Sequence, residues 1–343
     1  MINSLYGALG TPYFRFYDIR NAEAVTLTGQ LIIKWGERAI SRKLDSVLGT
    51  DGHDYGIYGD TDSTYIDIDD IVTKKIEKLF PDITFEEKID KIDKFCDNVI
   101  QPVINKAYEE LKEYTNSYMH CIFMDREVIA SSGFWTAKKK YAVVMWDSEG
   151  DRFYDKSGKM TYDIKIKGLE TKRSSTPLYS QKVLNKSIEK ILFEDEKSLQ
   201  EYVKTVKKDY CNQELESIAQ ISSVNNFDKY IDEASWTPLK GAGINHKAAC
   251  AYNKLASKVK GLELIKPGNK LYMVRLQMPN PIGEVFGWPS GTKIPKEFGL
   301  DIRSMLDEHT MIDKGFLSPL ELMCKGVGWE YEKKESLTNL LGI

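Results

Sequence analysis

The sequence predicts an α+β protein: an antiparallel sheet that includes a two-stranded hairpin and is backed by helices, followed by a mainly helical region. Three observations lead there. Residues 54–58 and 63–68 alternate with the period of two that marks strands and are joined by a short tip, and similar runs recur at 121–130, 141–146 and 162–167. Two long stretches between these runs keep the helical period. Near Gly168 strand character gives way to helix character, which puts a boundary there.

Residues 1–11 read as the end of a helix. Residues 21–48 form the first long helix, with Asn21 as N-cap, Glu23 in the first turn and Gly49 at the C-terminal position that favours glycine. Its apolar face (Ile32, Trp35, Ala39, Ile40, Leu44, Val47) is expected to back the hairpin. A second helix begins at Thr84, with Glu87 completing a capping box, and Ile89, Ile92, Cys96, Ile100, Ile104 and Tyr108 hold its period. Pro102 predicts a kink in it. Beyond Gly168, Thr176-Pro177 starts a helix that turns Val183, Leu184, Ile188 and Ile191 inward, and the Glu- and Lys-rich stretch 194–208 predicts a second, solvated helix. Ser222, Ser223, Asn225 and Asn226 fall in a polar loop. From 270 to 299, strand-like runs broken by Pro and Gly predict a small subdomain.

Bulk properties remove several function classes. A chain of 343 residues can bury a substantial core and hold two domains. No apolar run is long enough to span a membrane, and the amino terminus lacks the basic and apolar regions of a signal peptide. Five scattered cysteines (96, 121, 211, 250 and 324) fit neither a disulfide framework nor a zinc site and suit a reducing compartment. The net charge of -3 does not by itself suggest a nucleic-acid binder, but acidic residues gather between 51 and 97 and basic ones between 138 and 173. A local basic stripe is what phosphate binding requires.

The chemistry concentrates at the hairpin tip, Tyr58-Gly59-Asp60-Thr61-Asp62-Ser63. Turn chemistry alone explains one Asp there. Two carboxylates two residues apart on an extended chain would face the same way and hold a hard, oxygen-seeking cation such as Mg²⁺. Asp125 and Glu127 are also two apart on an extended run, where the plain reading is a solvated strand face with a salt bridge across Arg126. Lys138-Lys139-Lys140-Tyr141 reads either as a solvated turn or as a grip on phosphate oxygens and minor-groove acceptors, a pattern that is almost blind to sequence. In Ile164-Lys165-Ile166-Lys167 the lysines share one face and extend the basic surface. His246 taken alone is a structural histidine. The tail at 336–343 is short and apolar after a charged run, which suits a partner anchor.

These residues carry a resemblance. Asn3-Ser4-Leu5-Tyr6-Gly7 followed by Tyr58 to Ser63 resembles the two downstream polymerase motifs of family B DNA polymerases, in that order. Ala24-Val25-Thr26-Leu27-Thr28-Gly29-Gln30, Met124-Asp125-Arg126-Glu127, Thr136 to Tyr141, Gly168-Leu169-Glu170-Thr171 and Trp288-Pro289-Ser290-Gly291-Thr292 are similar to the replicative polymerases of T-even-type bacteriophages, over nearly the whole chain.

The resemblance implies an end of the fingers helix at 1–11, a palm with the catalytic hairpin at 12–167, and a thumb at 168–343 whose tail binds the sliding clamp through Leu337, Leu340 and Leu341. It implies template-directed DNA synthesis with two Mg²⁺ ions, Asp62 as the main ligand and Asp60 in a lesser role, and Asp125 and Glu127 as auxiliary acids. Asn3, Tyr6 and Gly7 would lie beside the incoming dNTP, with Arg15 a further contact. Lys138, Lys139, Lys140, Tyr141, Lys165, Lys167, His246 and Lys247 would hold primer-template DNA, and the cytoplasm of an infected bacterium is the expected location. The first polymerase motif with its metal-binding Asp, the nucleotide-binding Lys of the fingers and the exonuclease region have no counterpart here. The expected partner is therefore a separate amino-terminal polymerase portion. A split gene and a truncated chain predict the same sequence, and numbering from Met1 favours the split. The rival reading is a non-catalytic DNA-binding and clamp-tethering module. A metal-dependent phosphodiesterase, a third reading, lacks a His or acidic cluster of suitable spacing elsewhere in the chain.

Overall fold

Two helices open the chain in the computed structural model, which describes residues 2–333: α1 (Ile2–Leu9) and α2 (Ile19–Leu48). Asp18 caps α2, accepting from the Arg20 amide at 3.0 Å while its carboxylate also holds the Arg20 guanidinium. Asn21, expected as the cap, therefore sits inside the first turn. Asp is an equally strong cap, and here its charge has an additional partner. Gly49 ends the helix at φ 77°, as its position predicts.

The hairpin follows as β1 (Gly56–Asp60) and β2 (Ser63–Ile66), antiparallel, forming a two-stranded sheet. The capping box at Thr84 and Glu87 starts α3 (Phe85–Phe95), and a widened π-helical turn, Cys96–Ile100, leads into α4 (Gln101–Tyr114). Pro102 falls in the first turn of α4, where its missing N–H costs least, so the irregularity lies just before the proline. α2 and α4 approach so closely that a Cβ on Gly36 would lie 2.7 Å from the Tyr108 hydroxyl. Ile40, Leu44, Tyr55, Ile89, Ile92, Ile104, Tyr108 and Ile129 form one core, with Ile32, Trp35, Ile122 and Met124 packed against it.

Three further strands and a two-residue strand complete this part: β3 (Val128–Ala137), β4 (Lys140–Ser148), β5 (Asp151–Arg152) and β6 (Asp163–Lys167), ordered β3-β4-β5 with β6 also on β4. The strand expected from 121 enters the ladder only at Val128. Residues 121–127 alternate between exposed and half-buried, and Ile122 and Met124 reach the core, so the period-two signal is real. Among the described residues no strand pairs with them, which is why they stay outside the ladder.

α5 (Leu178–Phe193) and α6 (Glu196–Asp209) come next. α6 was expected to be solvated, yet it buries Leu199, Gln200, Val203 and Val206. These positions recur at helical spacing within a charged sequence, so composition hid a narrow apolar face. Ser222 and Ser223 lie on a strand, β7 (Gln220–Ser223), and only Asn225 and Asn226 are in the turn that was expected to hold all four. After α7 (Ile244–Ala256), β8 (Lys270–Arg275) pairs with β7 and with β9 (Val285–Pro289) in an antiparallel sheet. Trp288, Phe286 and Leu271 are fully buried there, and a Cβ on Gly287 would lie 3.0 Å from that of Ala248 on α7. α8 (Ser318–Val327) closes the described chain, with Leu320, Met323 and Cys324 inward. The residues group into two compact units, 1–131 with 144–164 and 132–143 with 165–343.

Candidate catalytic hairpin and nucleic-acid interface

Asp60 pairs with Ser63 at the end of the ladder, leaving Thr61 and Asp62 as a two-residue tip. Thr61 sits at φ 55°, and the Asp62 amide donates to the Asp60 carbonyl at 2.6 Å. The chain therefore reverses between the two carboxylates. The tight turn lies between them, and the extended i, i+2 arrangement expected from sequence does not occur. Asp60 is half-buried and accepts from the Thr61 hydroxyl at 2.9 Å, whereas Asp62 is exposed. The donor set is two hard carboxylates at a rigid strand end, which fits a Mg²⁺-type ion. It is incomplete by itself, since among the described residues no three His, Cys, Asp or Glu side chains gather as a metal site.

A stripe of α2 at helical spacing lies along the back of the hairpin. A Cβ on Gly29 would be 3.9 Å from the Thr61 carbonyl, and Ile33 Cγ2 lies 3.8 Å from the Cβ position of Gly59. Four residues on, Glu37 Oε1 accepts from the Thr64 hydroxyl at 2.6 Å. Sequence reasoning passed over Glu37. The available signal was the spacing of Gly29, Ile33 and Glu37 against a strand that carries two glycines.

Asp125 and Glu127 are exposed on the extended run, and Arg126 between them points inward. Its partners are Asp93, at 2.8 Å, and Asp147. The salt bridge envisaged with its flanking acids is replaced by a deeper one. Arg152 joins the cluster through Asp147, Asp93 at 2.9 Å and Asp90 at 3.3 Å, and Asp147 is 0% exposed. Sequence analysis missed this network because its members lie far apart in the chain. Arg126 occupies an inward position of the alternation, and that was the only trace.

On α1, Tyr6 is 47% exposed and a Cβ on Gly7 would meet nothing within 4 Å. The Asn3 side chain and residues 334–343, with Leu337, Leu340 and Leu341, lie outside what is described.

In the second unit, Lys138 and Lys139 form an exposed two-residue turn between β3 and β4, with Lys139 at φ 61°. Gly168 holds this turn from behind: it sits at φ 65°, and any Cβ there would be 2.1 Å from the Lys139 carbonyl oxygen. No other residue fits. Lys140 is half-buried and pairs with Glu170 at 3.6 Å. Tyr141, expected among the DNA contacts, is only 8% exposed and packs 6.2 Å from the Trp135 ring, so it supports the turn from inside. Lys165 is half-buried and Lys167 exposed on β6. His246, also 8% exposed, uses both ring nitrogens internally: Nδ1 accepts from the Gly243 amide at 3.2 Å and Nε2 lies 2.8 Å from the Asn225 carbonyl. That makes it the pin between α7 and the Asn225 turn and leaves no ring nitrogen to offer DNA. Lys247 pairs with Glu284 at 2.6 Å.

The model of DNA polymerase family B matches residues 1–91 and 95–232. The chain is 40% identical, over its whole length, to the DNA-directed DNA polymerase of Enterobacteria phage T4, and 38% identical over 99% of its length to that of Escherichia phage RB69. It spans 38% of the length of each of these two relatives. Over 56% of the chain it is 30% identical to the DNA polymerase alpha catalytic subunit of Arabidopsis thaliana, covering 10% of that protein. The chain belongs to DNA polymerase family B.

Proposed function

We propose that this chain is the carboxy-terminal part of a DNA-directed DNA polymerase. In this reading residues 1–11 end the fingers, 12–167 are the palm and 168–343 are the thumb, and a separate amino-terminal portion completes the enzyme. The observation that carries it is the pair of carboxylates, Asp62 exposed and Asp60 half-buried, at the turn of a glycine-bearing hairpin braced on α2. Asp62, with Asp60 behind it, would hold Mg²⁺ together with an Asp from the other portion. Two such ions, when bound, lower the pKa of the primer 3′-hydroxyl and neutralise charge developing on the triphosphate.

The chain's own residues bind and orient. The Lys138-Lys139 turn, with Lys140, Lys165, Lys167 and Lys247, grips the backbone of the primer-template without reading sequence. Tyr6 and Gly7, with Asn3, face the incoming dNTP. Asp125 and Glu127 add negative charge beside the ion site, and the tail with Leu337, Leu340 and Leu341 docks on a sliding clamp. The place of action in this reading is the cytoplasm of an infected bacterium, a location the phage relatives support.

Support for a second chain comes from the first unit. β1 and β2 form a sheet of two strands, 121–126 is extended with no strand paired to it among the described residues, and Tyr13, Phe16, Tyr118 and Phe123 are exposed. Unpaired edges next to apolar surface are what a missing strand would cover.

The test is primer extension with Mg²⁺ by the chain alone, by its mixture with an amino-terminal polymerase portion, and by the mixture carrying Asp62→Ala. Extension only in the mixture is expected, reduced by the substitution on the order of 10²–10³-fold or more, the range for losing one preorganised charge-stabilising group. A mixture that binds DNA but never extends primer would instead indicate the tethering module.

A further inference from the structure

We infer that Glu37 is a positioning residue for the carboxylates of the hairpin tip, acting through Thr64. The inference rests on the reading above, that Asp60 and Asp62 bind metal. Along the α2 stripe, Gly29 and Ile33 give the hairpin only shape and apolar contact. Glu37 adds a polar tie, and at 2.6 Å that bond has the length of a charge-assisted O–H···O⁻ contact. Lys34 and Arg38 line the same surface cavity as Glu37. Even so, its only polar partner among the described residues is the strand hydroxyl.

The strand is built to receive this carboxylate. A Cβ on Gly56 would lie 2.8 Å from Oε1 and 3.1 Å from Cδ, and one on Gly59 would lie 3.9 Å from Oε1. Strand residues three apart ordinarily face opposite sides. Here the ladder shifts register between Gly56 and Tyr58, so Ile57 is bulged and both glycines turn toward α2. Thr64 is the register partner of Gly59. The tie therefore enters the ladder one pair below Asp60↔Ser63, directly under the tip. In a sheet of only two strands, a hydrogen bond from the helix into the ladder helps fix the hairpin's tilt. The orientation of Asp60 and Asp62 then depends on this lock.

The experiment uses the two-portion polymerase with Glu37→Ala, Thr64→Val, the double variant, Glu37→Gln and Asp62→Ala. It reads the Mg²⁺ concentration for half-maximal primer extension separately from the rate at saturating Mg²⁺. Glu37→Ala and Thr64→Val should each raise the half-saturating concentration by about tenfold, the equivalent of one hydrogen bond removed, with a smaller change in the saturated rate. The double variant should be no worse than the singles, because both remove the same bond. Glu37→Gln should recover most of the loss, since its carbonyl oxygen still accepts from Thr64.

An unchanged Mg²⁺ midpoint, additive losses, or a Gln variant as poor as Ala would overturn the inference. If Asp62→Ala still extends primer at the normal rate, the metal reading itself fails. If it is inactive while Glu37→Ala behaves as wild type, only the positioning role fails. Hydrogen exchange on the chain alone supplies a readout independent of activity. The amides of Asp62 to Thr64 should exchange faster in Glu37→Ala and Thr64→Val, while those of the β7–β9 sheet should not change, and equal rates at the tip would also overturn the inference.

Discussion

In the second unit the three strands β7–β9 bury Trp288, Phe286 and Leu271 and lie against α7, whereas in the first unit the hairpin is a sheet of two strands and 121–126 runs extended with no strand paired to it among the described residues. Apolar side chains follow the same division. Tyr13 is 98% exposed and Phe16, Tyr118 and Phe123 are exposed with it, all in the first unit, while the second buries Trp288, Tyr210, Phe227 and Phe316, leaves Trp236 and Trp329 half-buried and exposes Phe193. One unit contains the partners its own sequence calls for, and the other presents edges and faces that a further chain can satisfy. The proposed hairpin site lies in the unit with the open edges, as the two-chain reading requires, because a site shared between two chains has to be left open by each of them.

The widest separation between the two units should come from hydrogen exchange on adding an amino-terminal polymerase portion. Amides of β1 and of residues 121–127 should slow on the order of a thousandfold as they enter a ladder, and those of β7–β9 should barely change. Uniform slowing across both units, or none, would break the comparison.

The two units should also differ in what holds them. Trp288→Ala removes a fully buried ring whose Nε1 donates to the Thr292 carbonyl at 3.1 Å, and should cost about 3–5 kcal/mol in urea unfolding. Asp147→Ala takes from Arg126 and Arg152 their fully buried partner, leaving Asp93 and Asp90 to them, and should cost about 1.5–3 kcal/mol, the range for a hydrogen bond to a charged group. Replacing that cluster with apolar side chains of matched volume should recover much of the loss, which no polar substitution at Trp288 could do. If Asp147→Ala is nearly silent, the ionic core is ornament and the contrast between the units weakens.

How much of this was legible in the sequence follows from the range of each interaction. The hairpin tip, the C-cap at Gly49 and the capping box at Thr84 are settled within a few residues, and the structure has them where the pattern puts them. The inward stripe of α6 is also local, but its four positions were masked by abundant Lys and Glu. Residues 121–127 have strand periodicity without a ladder, because pairing depends on a neighbour that periodicity cannot supply. The Asp93–Arg126–Asp147–Arg152 cluster and the Glu37–Thr64 tie join segments that are distant in the chain, so no window of sequence contains them. The lysine run was legible as a basic turn. That Gly168 props it from behind, and that Tyr141 faces inward, was not.

A smaller effect sharpens the comparison within the second unit. Lys138→Ala should lower the slope of log affinity for primer-template against log salt by about 0.9, the value for one phosphate no longer neutralised. Lys247→Ala should change the slope less, because Glu284 already neutralises that ammonium at 2.6 Å. Gly168→Ala should weaken binding as the lysine substitutions do, although it removes no charge, since the turn must move to clear the new methyl.

The smallest effect tests whether the first unit's helices are as well finished as its strand edges are not. Thr84 accepts from the Glu87 amide at 3.3 Å, and the Thr84 amide donates to Glu87 Oε2 at 2.9 Å. Thr84→Ala removes the first bond and the 2.8 Å bond that the hydroxyl donates to Glu87 Oε2, and leaves the amide bond, so it should cost about 1 kcal/mol, read as a shift in the urea midpoint. The Thr84 amide, then its hydroxyl, hold the Glu87 carboxyl below its ordinary value of 4.5. A carboxyl depressed on folding stabilises above its unfolded value, and that contribution is lost as pH falls through the depressed one. Glu87→Gln should therefore be less stable than wild type at neutral pH and converge with it in acid. A gap that persists below the depressed value would mean that the charge on Glu87, at the positive end of α3, is not what the cap contributes.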